Sequence, residues 1–520
     1  MRRILGGLIS FPKRAETDPV APWIEALGRV RLGLAGPSTV EAEMPDVSDL
    51  ERVARSYRGQ LAERGVVDFD EQVTGAIERL LADPAFRLRM QRFARILLVD
   101  EFQDLTPAHM LLIRLLSGPA GAVFGVGDDD QTIYGYAGAT PRWLVDFGNW
   151  FPGASMHPLE VNYRCPRAVV VAAGNLLSRN ALRVDKVIRA ADGGQRPESL
   201  ALVSGADGPA TRTGRRVREL LAGGATPDEI AVLARVNASL APVQLVLRNG
   251  GIPVDGGVSG RFLQRGGVRA ALAWLAVAGA PADALPGAVL REVARRPKRG
   301  MSASLLDLVS RKSSVEDLAG LAGWLEEKGS EREAGKVRDL ADDVGRVRRA
   351  ARSGTTAAVL AVLRSQIGDG GLDASATALD QWSHGAGSAH GDDLDALTEL
   401  ADLEGDPRRF PDWLSEQLNA PAEPGGVTLA SVHAVKGREW AHVVVHHATD
   451  GLLPHRLSED EEEERRIFHV ALTRCRVSCS IVPGSPPSPF LLELDAAGVP
   501  VAKSPSTVAT APSRGRESRN

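Results

Sequence analysis

The residues best placed to do chemistry are Asp100 and Glu101, which end the aliphatic run Ile96 to Val99, and Gln131, which follows Asp128, Asp129 and Asp130 after a second apolar run, Ala122 to Val126. A continuous aliphatic run predicts a strand buried on both faces, and open α/β sheets bind ligands outside the carboxyl ends of their strands. Adjacent carboxylates there suit nucleoside triphosphate hydrolysis. Asp100 can hold Mg²⁺ through its water shell, Glu101 can orient or deprotonate the attacking water, and Gln131 can sense a terminal phosphate from the next loop. Acidic residues also end strands on solvated rims. The specific feature is the setting: the pair lies inside DEFQD, and GDDDQTIYGYAGA follows one strand later.

These two segments resemble motifs II and III of the UvrD/Rep/PcrA group of superfamily 1 DNA helicases, ATP-driven motors that move 3′ to 5′ on single-stranded DNA. Later segments extend the likeness. LEVNYRCP, residues 159–166, resembles motif IV and contains Arg164, whose guanidinium fork at a strand end can reach a γ-phosphate across a cleft. VTLASVHAVKGREW resembles motif V and holds His433, Lys436, Gly437 and Glu439. The resemblance implies that Gly437 and Glu439 contact the nucleotide, Glu439 at the ribose hydroxyls, and that His433 couples the nucleotide cleft to DNA. EEEERRIFHVALTRC, residues 461–475, resembles motif VI, whose helix would bring Arg474 to the cleft as a cation for the transferring phosphoryl group.

Tyr136 stands where the family has an aromatic residue that stacks on a base. Each of these residues also has a plain structural reading: Arg164 as a surface arginine, His433 as a satisfied core histidine, Tyr134 and Tyr136 as packing residues. Two positions depart from the family. Ala137 replaces a common arginine, and Arg438 replaces a usual leucine.

Composition bounds the rest. A chain of 520 residues, 43% hydrophobic and 25% charged, has material for several cores. Its formal net charge of −4 means that any DNA groove must be local. Cys165, Cys475 and Cys479 have no metal-site spacing, so zinc is not expected, and they suit a reducing cytosol. The opening MRRILGGLISFP superficially resembles a signal peptide, but glycines break it and Lys13 and Arg14 follow; it reads as part of a helix. No run approaches the roughly 18 apolar residues of a membrane span, so a cytoplasmic protein without a membrane partner is expected.

Periodicity predicts helices at Leu50 to Tyr57, Arg167 to Leu177, Thr213 to Leu221 and around Leu240 to Arg248, with strands at Leu200 to Val203, Ile230 to Leu233, 427–433 and 442–447. Asp68, Phe69 and Asp70 match the family's D-F-D signature and equally suit a helix N-terminus. Against the family, the expected organisation is a helical-insertion remainder at 1–65, a partial first RecA-like domain at 66–158, a second RecA-like domain at 159–265 and 421–495, a helical insertion at 266–420, and a disordered tail at 496–520. The fold class is therefore α/β: two RecA-like parallel-sheet domains, the first incomplete, with helical insertions in a P-loop NTPase-like architecture.

A phosphate-cradling loop requires G-x-x-x-x-G-K-[ST], and no segment fits; the nearest, at Gly335-Lys336-Val337, lies in a charged helical run. Three readings follow: a truncated form of a working helicase, one part of a split motor with a separately encoded P-loop partner, or a non-catalytic DNA-binding or assembly protein. The family's substrate and cofactor are ATP and Mg²⁺, its partners single-stranded and duplex DNA.

Overall fold

The computed structural model describes residues 1–8, 20–44, 47–119, 122–191, 199–281, 283–380, 389–494 and 501–502. Near the N-terminus, the helices Arg2–Leu8, Ala21–Arg31 and Leu50–Glu63 bury Leu5, Trp23, Leu27, Leu50, Val53 and Tyr57 together. The expected helical phase at Leu50, Val53 and Tyr57 is thus the apolar stripe of Leu50–Glu63. Asp68 caps the next helix, Phe69–Ala82, by accepting the Glu71 N–H at 2.8 Å. Arg31 donates to Asp68 at 2.9 Å and to Asp70 at 2.6 Å, and Tyr57 donates to Asp68 at 2.7 Å, so this acidic turn also ties three helices together.

Strands β1 (Ile96–Val99) and β2 (Ala122–Gly125) pair in parallel, Ile96 opposite Ala122. Leu97, Val99 and Val123 pack on Phe102, Met110, Ile113 and Phe147, beneath the helix Pro107–Ser117. The other face is bare: Ile96, Leu98 and Phe124 are 71%, 77% and 61% exposed. The expectation of burial on both faces is corrected here. Side chains alternate along a strand, and in this two-stranded sheet the helix covers one side only.

A short pair, β3 (Val161–Asn162) and β4 (Arg189–Ala190), precedes the main sheet. That sheet comprises β5 (Leu200–Val203), β6 (Ile230–Ala234), β7 (Val254–Gly256), β8 (Val427–Ser431), β9 (Trp440–Ala448), β10 (Cys475–Pro483) and β11 (Val501–Ala502). All seven are parallel, in the order β11-β5-β10-β9-β6-β8-β7. Segments from both sides of a long helical stretch therefore interleave in one sheet. Alternation along β9 sends Val443 and Val445 to a core with Ile467, Phe468 and Leu472, and Val444 to the opposite core.

The opposite core is continuous with the helices from Gly266–Gly279 to Phe410–Asn419, through Trp274, Leu290, Val337, Leu397 and Leu414. The helix His390–Leu400 follows residues 381–388, which lie outside the described residues. The tail expected to be disordered from 496 contributes β11, which pairs with β5. The remainder, 496–500 and 503–520, lies outside the described residues. Among the described residues no helix is long and apolar enough to cross a membrane.

Candidate active site

At the carboxyl end of β1, Asp100 accepts the Glu101 N–H at 2.9 Å. Glu101 has a left-handed backbone, φ 48°, and starts the single turn Phe102–Asp104. A non-glycine residue in this region stores strain that its surroundings must hold. Gln103 does part of that holding: buried, it donates Nε2 to the Glu101 carboxylate and accepts the Asp128 N–H at 2.9 Å on Oε1. The loop after β2 can come this close because residue 127 is glycine; a Cβ there would stand 2.5 Å from the Gln103 oxygen.

The three aspartates of that loop lie close enough to hold a cation, and protein cations fill the role. Lys186 ion-pairs with Asp128 at 2.7 Å, with Asp129, and with Asp130 at 3.1 Å. Arg183 grips Asp130 with two bonds of 2.7 and 2.9 Å. Burial raises Asp128, but Lys186, His469 and Gln131 outweigh it and hold the carboxyl down to about 2. Burial and the neighbouring Asp130 leave Asp129 above its ordinary value.

Gln131 lies between charges of opposite sign. Its Nε2 donates to Asp128 at 2.7 Å, and its Oε1 accepts from Arg474 Nη2 at 3.0 Å. The carboxylate demands the amide nitrogen and the guanidinium the amide oxygen, so the side chain has one workable orientation.

Arg474 comes from the other side of the cleft, just past the helix Glu461–Leu472, whose Ile467, Phe468 and Leu472 are buried. Only 1% of Arg474 is exposed. Its Nε donates to the Val470 carbonyl at 3.2 Å, while Nη1 has no partner among the described residues. Burial, and then the like charge of Arg164, lower its proton affinity. Asn162 Oδ1 caps the turn after β3 by accepting from the N–H groups of Arg164 and Cys165 at 2.9 and 2.8 Å. The Arg164 side chain ion-pairs with Glu439.

Lys436 spans the two sides. Its Nζ donates to Asp104 at 2.7 and 2.6 Å and to the Gln131 carbonyl at 3.1 Å, and stands 3.6 Å from Glu101. Burial raises Asp104 despite this lysine. Gly437, at φ 81°, supplies the turn that separates Lys436 from Glu439.

The structure thus joins Glu101 to Gln131 through Lys436, and Gln131 to Arg474 directly, with Asp100 adjoining Glu101. Arg164 and Glu439 form a second pair beside Arg474. Tyr136 and His433 fall in a separate aromatic group: Tyr134 and Tyr136 centroids are 6.1 Å apart, and Tyr136 and His433 6.5 Å. Tyr134 donates to the His433 carbonyl at 2.9 Å, and Tyr136 is 53% exposed. Burial, then Arg235, push the His433 imidazole down to about 3, so it is neutral near pH 7.

Sequence reasoning assigned no role to Lys436, Gln103 or Lys186. The acidic run 128–130 did signal a need for cations; nothing local showed that a lysine 56 positions beyond Asp130 would supply one. Asp100 has no ion-pair partner among the described residues, and one oxygen stays free of the Glu101 N–H bond. Carboxylates on one side and Arg474 and Lys436 on the other form a donor set that fits a metal-bound polyphosphate.

An α/β fold with carboxylates at parallel-strand ends facing arginines from beside a second sheet is an arrangement that suits nucleotide binding. Comparison with known proteins gives matching domains and relatives. Residues 28–152 match the UvrD/REP helicase N-terminal domain, and residues 414–481 the UvrD-like helicase C-terminal domain. The chain is 30% identical over 500 residues to ATP-dependent DNA helicase UvrD1 of Mycobacterium tuberculosis, covering 86% of this chain and 63% of that protein. It is 29% identical over 452 residues to DNA helicase II of Escherichia coli, covering 82% and 60%. It is 26% identical over 452 residues to a putative ATP-dependent DNA helicase, YjcD, of Bacillus subtilis, covering 82% and 56%. The chain thus spans a little under two thirds of the length of these relatives. These matches support the UvrD-like helicase family, with both domain types represented.

Proposed function

We propose that the chain is the motor portion of an ATP-dependent 3′–5′ DNA helicase of the UvrD kind, coupling ATP hydrolysis to movement on single-stranded DNA and duplex unwinding in DNA repair or recombination. The observation that carries this reading is the contact of Arg474 with Gln131, which brings a buried guanidinium from one sheet to the acidic strand end of the other. In it, Asp100 would hold Mg²⁺, which supplies charge neutralisation at the phosphates. Glu101, freed from Lys436 and Gln103, takes the proton of the attacking water. Arg474 and Arg164 face the γ-phosphate, and Gln131, already bridged to Arg474, reports its presence across the cleft. Glu439 exchanges Arg164 for ribose hydroxyls, Gly437 lets its loop approach, Tyr136 stacks on a base and His433 joins the two regions.

The bare apolar face of β1 and β2 supports a further element of the reading: a polypeptide segment carrying the phosphate-binding loop adds to this small sheet, whether joined to the chain or separately encoded. ATP turnover should be measured with and without single-stranded DNA, for the chain alone and with such a segment supplied. DNA-stimulated turnover that falls by roughly 10³-fold or more in Arg474→Ala supports the proposal. DNA binding with no turnover under either condition would instead support a non-catalytic DNA-binding or assembly protein.

A further inference from the structure

Away from the cleft, the end of β9 carries two adjacent histidines whose placement a regular strand would forbid. Side chains at successive strand positions point to opposite faces. His447, however, has φ 58°, a left-handed conformation uncommon outside glycine. The turn brings its ring beside that of His446, centroids 5.4 Å apart, on the side that meets the helical insertion. There Glu399, from the helix His390–Leu400, places its carboxylate 3.3 Å from His447 Nδ1. One ligand atom from each of Glu399, His446 and His447 lies within 4.8 Å of the others.

We propose that these three residues form a binding site for a divalent transition metal of the zinc class, fastening the helical insertion to the end of the main parallel sheet. Two imidazoles and one carboxylate are a common donor set for zinc, with a remaining position left for water. His446 is 2% exposed, and the Thr213 hydroxyl lies 2.8 Å from its Nδ1, which leaves Nε2 as the free nitrogen. That Nε2 is fully buried and has no hydrogen-bond partner. Leaving such an atom unpaired in a protein interior costs about 1–3 kcal/mol, so it calls for a partner. The Thr213 contact is the outer-sphere arrangement that sets the tautomer and direction of a ligating imidazole.

Electrostatics agree with the geometry. Burial, followed by the charges of Asp395 and Asp402, pushes Glu399 up to about 7. Burial likewise disfavours the protonated form of both histidines; the neighbouring His447 and Arg212 add to this at His446, where the Ser239 carbonyl acts in the opposite sense. Neutral imidazole is the form that binds metal. Among the described residues Arg212 is the cation that bears unfavourably on both histidines, and Arg364 and Arg456 are engaged with Asp395. The proposal differs from a cysteine-based site: all three cysteines are buried elsewhere, as free thiols.

The test uses the full chain, stripped with a chelator and titrated with Zn²⁺ by calorimetry and with Co²⁺ by absorption. One equivalent should bind, with Co²⁺ visible bands lacking a thiolate charge-transfer component, and Zn²⁺ should raise the unfolding temperature. Glu399→Gln and His447→Asn should each weaken binding by about tenfold or more and remove the thermal shift, whereas Cys165→Ser should leave both unchanged. Undiminished Zn²⁺ binding in Glu399→Gln, or no binding by the unaltered chain, overturns the proposal. Glu399→Gln is nearly isosteric, so folding of that variant is checked independently by its metal-free circular dichroism.

Discussion

Replacing Lys186 with methionine should be among the more damaging single changes in the chain, although this lysine lies outside every recognised motif. Its side chain is 9% exposed and its ammonium faces Asp128, Asp129 and Asp130, of which the last two side chains are 3% and 4% exposed. Arg183 pairs with Asp130 but with neither of the others. Methionine keeps most of the volume and removes the charge, stranding buried carboxylates. Removing one partner of a buried ion pair costs about 3–5 kcal/mol, so a loss of about that size is expected in urea unfolding followed by tryptophan fluorescence.

The loss should depend on pH in a definite direction. Unpaired buried carboxylates have folded-state pKa values above those of the unfolded chain, so in Lys186→Met the penalty is full at neutral pH and shrinks as pH falls through those raised values. In the unaltered chain Asp128 behaves oppositely. Its folded pKa, about 2, lies below its ordinary value, so its contribution is full above that value and disappears as acid protonates it. Adding Asp129→Asn to Lys186→Met should recover part of the stability by removing one stranded charge. A loss below about 1 kcal/mol, or no recovery in the double variant, would refute the view that this ion cluster holds the Gln131 loop in place.

Two further outcomes follow from exposed residues. Tyr136→Ala should weaken single-stranded DNA binding by about 1–3 kcal/mol in fluorescence anisotropy, with little change in unfolding, because the ring is about half exposed; unchanged affinity would assign Tyr136 to packing alone. Changing Leu98 and Phe124 to serine should shift stability by no more than about 0.5 kcal/mol per site yet reduce self-association in light scattering, since both side chains stand on the bare face of β1 and β2; a large loss of stability would mean that this face is covered.

Local chemistry made much of this protein readable from the chain. Aliphatic runs stopped by carboxylates, such as Ile96 to Glu101, announce strands and acidic strand ends, because strand formation and its interruption depend on neighbours. The stripe at Leu50, Val53 and Tyr57 and the cap at Asp68 were legible for the same reason. So was the amphipathic helix leading to Arg474, whose apolar positions require a core.

Long-range partners were not legible. Tertiary structure alone joined Lys436 to Asp104, Arg474 to Gln131 and Lys186 to three aspartates, contacts that bridge distant segments and leave no periodic trace in the sequence. It also decided that β1 has one bare face, since an aliphatic strand reads the same whether one side or both are covered. The left-handed turn at His447 belongs to this second group: alternation would have separated it from His446, and only the packed end of β9 against the helix of Glu399 brings the two rings together.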